Sequence, residues 1–202
     1  MKEKMNIAFV IDKSGSMYSM APEVIKGFNR VLEEHKEPEM LYTVCVFNDH
    51  IAFPEVRTPA PGVEPLTEKS YHPDCCTALN DAMGKTIKTM EGLVEKGEKV
   101  LFFVLTDGME NASTDYTTKD IKKLVEEKNK DGWEFIFMGA NIDAAEEAAK
   151  RGVARSADFV ADDRGADLAM CAMSEAVDLI SNKKELDGFD AEVKKDYKKR
   201  GK

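Results

Sequence analysis

Short apolar runs alternate with segments of helical periodicity along almost the whole chain, and this alternation constrains the fold more than any other feature. The runs are Ile7–Ile11, Tyr42–Phe47, Ile51–Val56, Val100–Leu105, Phe135–Met138 and a weaker one at Asp158–Val160. Their length suits strands, and their near-continuous hydrophobicity suits strands buried on both faces. Between them, Met20, Val24, Phe28, Val31 and Leu32 form one apolar stripe, and Leu79, Met83, Ile87, Met90 and Val94 another. Ile121, Leu124 and Val125 mark a third helix starting near Thr117 or Thr118, and Ala144–Arg151 (closed by Gly152) and Ala166–Ile180 give two more. The methionines of these stripes read as core filler. The pattern predicts an α/β class, a doubly wound, mostly parallel six-stranded sheet with helices on both faces. The polar turn Asn48-Asp49-His50 between two runs adds a hairpin, and so one antiparallel edge strand.

A chain of 202 residues suits one such domain, expected over residues 1–180, followed by a charged C-terminal tail over 181–202. Lys183, Lys184, Lys194, Lys195, Lys198, Lys199, Arg200 and Lys202 crowd that tail. It reads as a frayed or partly helical, solvated end, with Leu186, Phe189, Val193 and Tyr197 its few apolar anchors. The net charge of -9 argues against nucleic acid or an anionic membrane as partner. The first apolar run is too short for a signal-peptide core or a membrane span. Of the four cysteines, Cys75 and Cys76 are adjacent and no C-x-x-C pair occurs, which argues against a structural zinc site and favours reduced thiols in the cytoplasm. The proline-rich stretch Arg57–Cys76 has no sustained periodicity and reads as a long functional or mobile loop.

In a doubly wound sheet, ligands bind beyond the carboxyl ends of the strands. The first strand runs into Asp12-Lys13-Ser14-Gly15-Ser16-Met17, the fourth into Thr106-Asp107-Gly108, and Thr77 stands where a helix begins. Singly, each has a structural explanation: an Asx-turn at Asp12, turn or cap roles for Ser14 and Ser16, an N-cap at Thr77, a turn at Asp107-Gly108. Jointly, Asp12, Ser14, Ser16, Thr77 and Asp107 bring hard oxygen donors to one sheet edge, in about the number that octahedral Mg²⁺ takes once water supplies the rest.

The stretch from Ile11 to Met17 resembles the D-x-S-x-S signature of von Willebrand factor A domains. Thr77 within Thr77-Ala78-Leu79-Asn80-Asp81-Ala82, and Asp107 within Leu105-Thr106-Asp107-Gly108, are similar to the family's two remaining motifs in order and spacing. The resemblance covers about residues 5 to 180. It implies a metal-ion-dependent adhesion site for Mg²⁺, with Mn²⁺ as a substitute. Ser14, Ser16 and Thr77 would be its hydroxyl ligands, and Asp12 and Asp107 would coordinate directly or through water. It further implies exchange of direct and water-mediated ligation between the threonine and the second aspartate. Cys75 and Cys76 depart from the small residues usual before that threonine, and packing is their expected role. The chain resembles the stand-alone intracellular members of bacteria rather than extracellular adhesion proteins.

The expected function is a protein-binding module whose metal takes a carboxylate from a partner protein, and not an enzyme. The alternative is a Mg²⁺-dependent phosphatase of the haloacid dehalogenase type with Asp12 as nucleophile. That chemistry wants an acid two residues on, where Ser14 stands. A serine hydrolase lacks its G-x-S-x-G, and His35, His50 and His72 lie in unpromising contexts. Dinucleotide binding lacks two of its three glycines, Gly15 standing alone.

Overall fold

The computed structural model describes residues 3–201; Met1, Lys2 and Lys202 lie outside it. Six strands make one sheet: β1 (Met5–Asp12), β2 (Met40–Phe47), β3 (Ile51–Pro59), β4 (Lys99–Thr106), β5 (Trp133–Ala140) and β6 (Arg155–Phe159). Their order is β3-β2-β1-β4-β5-β6. All pairings are parallel except β2 with β3, the expected hairpin at the edge. The helices are α1 (Ala21–Glu34), α2 (Leu79–Glu91), α3 (Thr118–Lys130), α4 (Ala144–Lys150), α5 (Asp163–Ser181) and α6 (Ala191–Arg200). The last strand starts three residues earlier than the apolar run suggested. As an edge strand it buries only Ala157 and Phe159, so its pattern is faint.

Alternation along β1 divides the core. Ile7, Phe9 and Ile11 face a layer built from α1 and α5, while Ala8 and Val10 face one built from α2, α3 and α4. On the first face α1 and α5 approach so closely at Gly27 that a Cβ there would lie 2.5 Å from Met170 Cγ. Helix starts follow local chemistry. Pro22 occupies the first turn of α1, Thr117 and Asp120 form a capping box on α3, and Asp143 and Asp162 cap α4 and α5.

The charged end is partly helical, as α6, and it also buries most of its apolar anchors. Residues Leu186, Phe189 and Val193 are buried in the same cluster as α1 and α5. Arg200 pairs with Asp162 at 2.5 Å and also with Asp196, tying α6 to the start of α5. The lysines of this segment point outward because its few apolar residues fall on one side. The stretch after β3 is also pinned: Asn29 exchanges side-chain hydrogen bonds of 2.9 and 2.8 Å with both backbone groups of Leu66. No helix among the described residues is long and apolar enough to cross a membrane.

Candidate metal centre

The strand order reverses between β1 and β4, and both strands end at the same edge, in Asp12 and Thr106. Beyond Asp12 the backbone folds back because the Ser14 N–H donates to Asp12 Oδ1 at 2.7 Å. A short 3-10 turn, Gly15–Met20, follows, anchored by buried Met17 and Met20. Thr106 Oγ1 donates to Asp12 Oδ2 at 2.5 Å, and the Tyr71 phenol donates to the Asp12 carbonyl at 2.5 Å. Asp12 is thereby fully enclosed, with both carboxylate oxygens oriented.

The other four residues close around it. The Ser14 and Ser16 hydroxyls are 3.3 Å apart, and Ser16 donates to Asp107 Oδ1 at 2.6 Å. Thr77 enters from the opposite loop. A Cβ built on Gly108 would stand 2.9 Å from Thr77 Oγ1 and 3.7 Å from Asp12 Oδ2, so both oxygens converge on the glycine backbone. All five residues singled out in the sequence therefore lie together.

Their electrostatics are those of anions short of a counter-charge. Burial pushes the Asp12 carboxyl up to about 6, opposed by the bonds from Thr106 and Ser14 and reinforced by Asp107. Burial likewise raises Asp107, against the bond from Ser16. Asp107 Oδ2 is buried and has no hydrogen-bond partner among the described residues. An orphaned carboxylate oxygen beside a second buried carboxylate and three neutral hydroxyls is the donor chemistry that a hard divalent cation takes. Among the described residues no three His, Cys, Asp or Glu side chains form a metal-holding group. A cation at this edge would therefore need the hydroxyls of Ser14, Ser16 and Thr77 beside the two carboxylates.

Three features escape a reading of the sequence. Thr106 and Tyr71 orient Asp12 from β4 and from the long loop, and no local pattern marks Tyr71. Cys75 and Cys76 do not pack into the core; both thiols are free and exposed. Cys75 instead turns the chain in the left-handed region, φ 59°, and its carbonyl accepts the Gly15 N–H at 3.2 Å, joining the two loops. Buried His35 lies 2.8 Å from Ser174 Oγ through Nε2, a pairing that couples α1 to α5. The Ser174 hydroxyl donates to Glu34 at 2.5 Å, so His35 does not stand as its base.

No family model matches the sequence, and no curated protein does. Solved structures do. The conserved hypothetical protein BatB from Bacteroides thetaiotaomicron superposes with a TM-score of 0.61 at 14% identity, over 89% of this chain and 99% of that one. The von Willebrand factor type A protein from Catenulispora acidiphila gives 0.61 at 12% identity, over 86% of this chain and 42% of that one. The ArnB paralog VWA2 from Sulfolobus acidocaldarius gives 0.63 at 17% identity, over 86% and 45% respectively. The chain spans less than half the length of the last two. At such identities the likeness is one of fold: a von Willebrand factor A-type α/β architecture.

Proposed function

We propose that the chain is a divalent-cation-dependent protein-binding module, and not an enzyme, that grips an acidic residue of a partner protein. The observation that carries the reading is the buried, unpartnered Oδ2 of Asp107 beside Asp12, Ser14, Ser16 and Thr77. These five residues would hold Mg²⁺, or Mn²⁺ in its place. Bound there, the ion supplies a positive centre that accepts one further oxygen, which suits a carboxylate. The residues around it favour a macromolecular partner. Tyr18 and Met109, each two residues beyond a proposed ligand, are 69% and 65% exposed and offer apolar surface on the loops of Ser16 and Asp107.

The net charge of -9 disfavours nucleic acid and anionic membrane, and the cytoplasm of a bacterium is the setting we propose. The phosphatase alternative draws no support from the geometry: the position where its acid would act holds Ser14, whose hydroxyl faces Ser16.

Affinity capture from a lysate, run in Mg²⁺ and again in chelator with Asp107→Ala as control bait, tests the reading. A protein captured by wild type in Mg²⁺ alone, and released when one of its Asp or Glu residues is neutralised, is the expected result. Capture that survives both chelator and every such neutralisation would overturn it.

A further inference from the structure

We infer that Asn111 is a positioning residue for this site, fastening Thr77 to the loop of Asp107 so that the two proposed ligands move as one body. The inference rests on the metal reading above and says how the site is held.

Thr77 lies just ahead of α2 but does not cap it: the N-cap position falls at Ala78, and no side chain of the helix's own start closes it. What fixes Thr77 comes from elsewhere. Its N–H donates to Asn111 Oδ1 at 2.9 Å, and its carbonyl accepts the N–H groups of Asn111 and Ala112 at 3.0 and 3.2 Å. Asn111 thus engages both polar backbone groups of the threonine, and its amide oxygen is committed to that task. It acts through Thr77 rather than on a cation.

Asn111 is held in turn because the loop after β4 is stitched to the first turn of α2. Glu110 Oε2 accepts from the Asn80 N–H at 2.7 Å and from Ser113 Oγ at 2.7 Å. Its Oε1 accepts the N–H groups of Ala112 and Ser113 at 3.0 and 2.8 Å. Buried Asp81 answers from the helix, accepting the N–H groups of Thr114, Asp115 and Tyr116 at 3.0, 3.0 and 2.8 Å. The Asp81 N–H meets Ser113 Oγ at 3.0 Å. Helix-start N–H groups that normally need a local cap are satisfied by the neighbouring loop, and the reverse.

Moving Thr77 relative to Asp107 therefore breaks several charge-assisted bonds at once. Any exchange of ligation between the two has to occur by side-chain rotation within a fixed backbone.

A double-mutant cycle on Mn²⁺ affinity, read by electron paramagnetic resonance of the free ion, tests this. Asn111→Ala should weaken Mn²⁺ about tenfold in the wild-type background and by less than about twofold in the Thr77→Ala background, since its effect passes through the lost hydroxyl. Asn111→Asp, which keeps an acceptor oxygen, should recover most of the affinity. In chelator, the Thr77 amide should exchange faster with solvent in Asn111→Ala while global thermal unfolding shifts little. If the alanine variant does not fold, Asn111→Ser, too short to reach the amide, carries the same comparison. Equal losses in both backgrounds, no loss, or an unchanged Thr77 exchange rate overturns the inference. A wild type that binds no Mn²⁺ overturns the metal reading instead, and the amide exchange then judges the fastening alone.

Discussion

Ser16 and Asp107, 91 residues apart in sequence, are joined by a 2.6 Å hydrogen bond that occupies one carboxylate oxygen and leaves the other buried and bare. The bare oxygen makes the site a liability to the fold when nothing positive binds there. Leaving a buried acceptor unsatisfied costs about 1–3 kcal/mol. Asp107→Asn should therefore unfold at the same or a higher temperature than wild type in chelator. In Mg²⁺ at a hundredfold excess over Kd the order should invert, because wild type gains about 2.7 kcal/mol that the variant forgoes. Calorimetric scans of both proteins in both buffers read the crossing. Parallel responses to Mg²⁺ would remove Asp107 from the ligand set.

A second prediction concerns pH, away from the site. Arg151 is buried, and its guanidinium bonds Glu147 Oε2 at 2.7 Å and Asn80 Oδ1 at 2.9 Å, bracing α4 against the start of α2. Burial works to raise the Glu147 carboxyl, but the bonds from Lys150 and Arg151 outweigh it and hold the group below its ordinary value of 4.5. A lowered carboxylate contributes stability that is fully present above pH 4.5 and is lost as pH falls through the lower folded-state value. Acid unfolding should thus begin below pH 4.5 for this pair, and Glu147→Gln should flatten that limb. The same variant leaves a buried guanidinium unpaired and should cost about 3 kcal/mol at neutral pH. Urea melts at several pH values check both effects.

Much of this architecture was legible because physics wrote it locally. Asp12, Ser14 and Ser16 sit within five residues, and Asp107 follows a strand whose apolar run is unmistakable, so their meeting follows once the sheet order is granted. The Asn48-Asp49-His50 turn announced the antiparallel edge in the same way. What was hidden depends on tertiary placement. Tyr71 reaches the Asp12 carbonyl from a loop without periodicity, and the Asn111 side chain reaches the Thr77 N–H across 34 residues through a bond that any Asn could make. The packing of the charged C-terminal segment was faint for a related reason. Lysines dominate the composition of residues 182–202, while three spaced apolar residues, two of them ahead of α6, are what it buries.

Those three residues carry a prediction of their own. Leu186, Phe189 and Val193 are 5%, 4% and 2% exposed. Deleting everything after Ser181 strips them from the core cluster they share with α5 and β6 and should cost on the order of 5 kcal/mol. For a domain of this size that corresponds to a fall in Tm of roughly 10 °C or more. Differential scanning calorimetry of the truncated chain measures it. An unchanged Tm would return the segment to the status of a solvated tail.

The last prediction uses Gly108, where a methyl group separates folding from binding. Its backbone has no positive φ, so alanine is conformationally admissible, and the cost of the substitution is one of space. The added Cβ would lie 2.9 Å from Thr77 Oγ1, closer than side chains tolerate, and 3.7 Å from Asp12 Oδ2. Thr77 cannot retreat as a unit, because Asn111 and Ala112 hold its backbone at 2.9–3.2 Å. Its side chain must rotate instead, carrying the hydroxyl away from Asp12. Gly108→Ala should accordingly keep most of its stability in chelator, within about 1 kcal/mol, and yet lose Mn²⁺ affinity about as severely as Thr77→Ala. If Gly108→Ala binds Mn²⁺ like wild type, Thr77 Oγ1 is not a ligand and the site shrinks to the two aspartates and two serines.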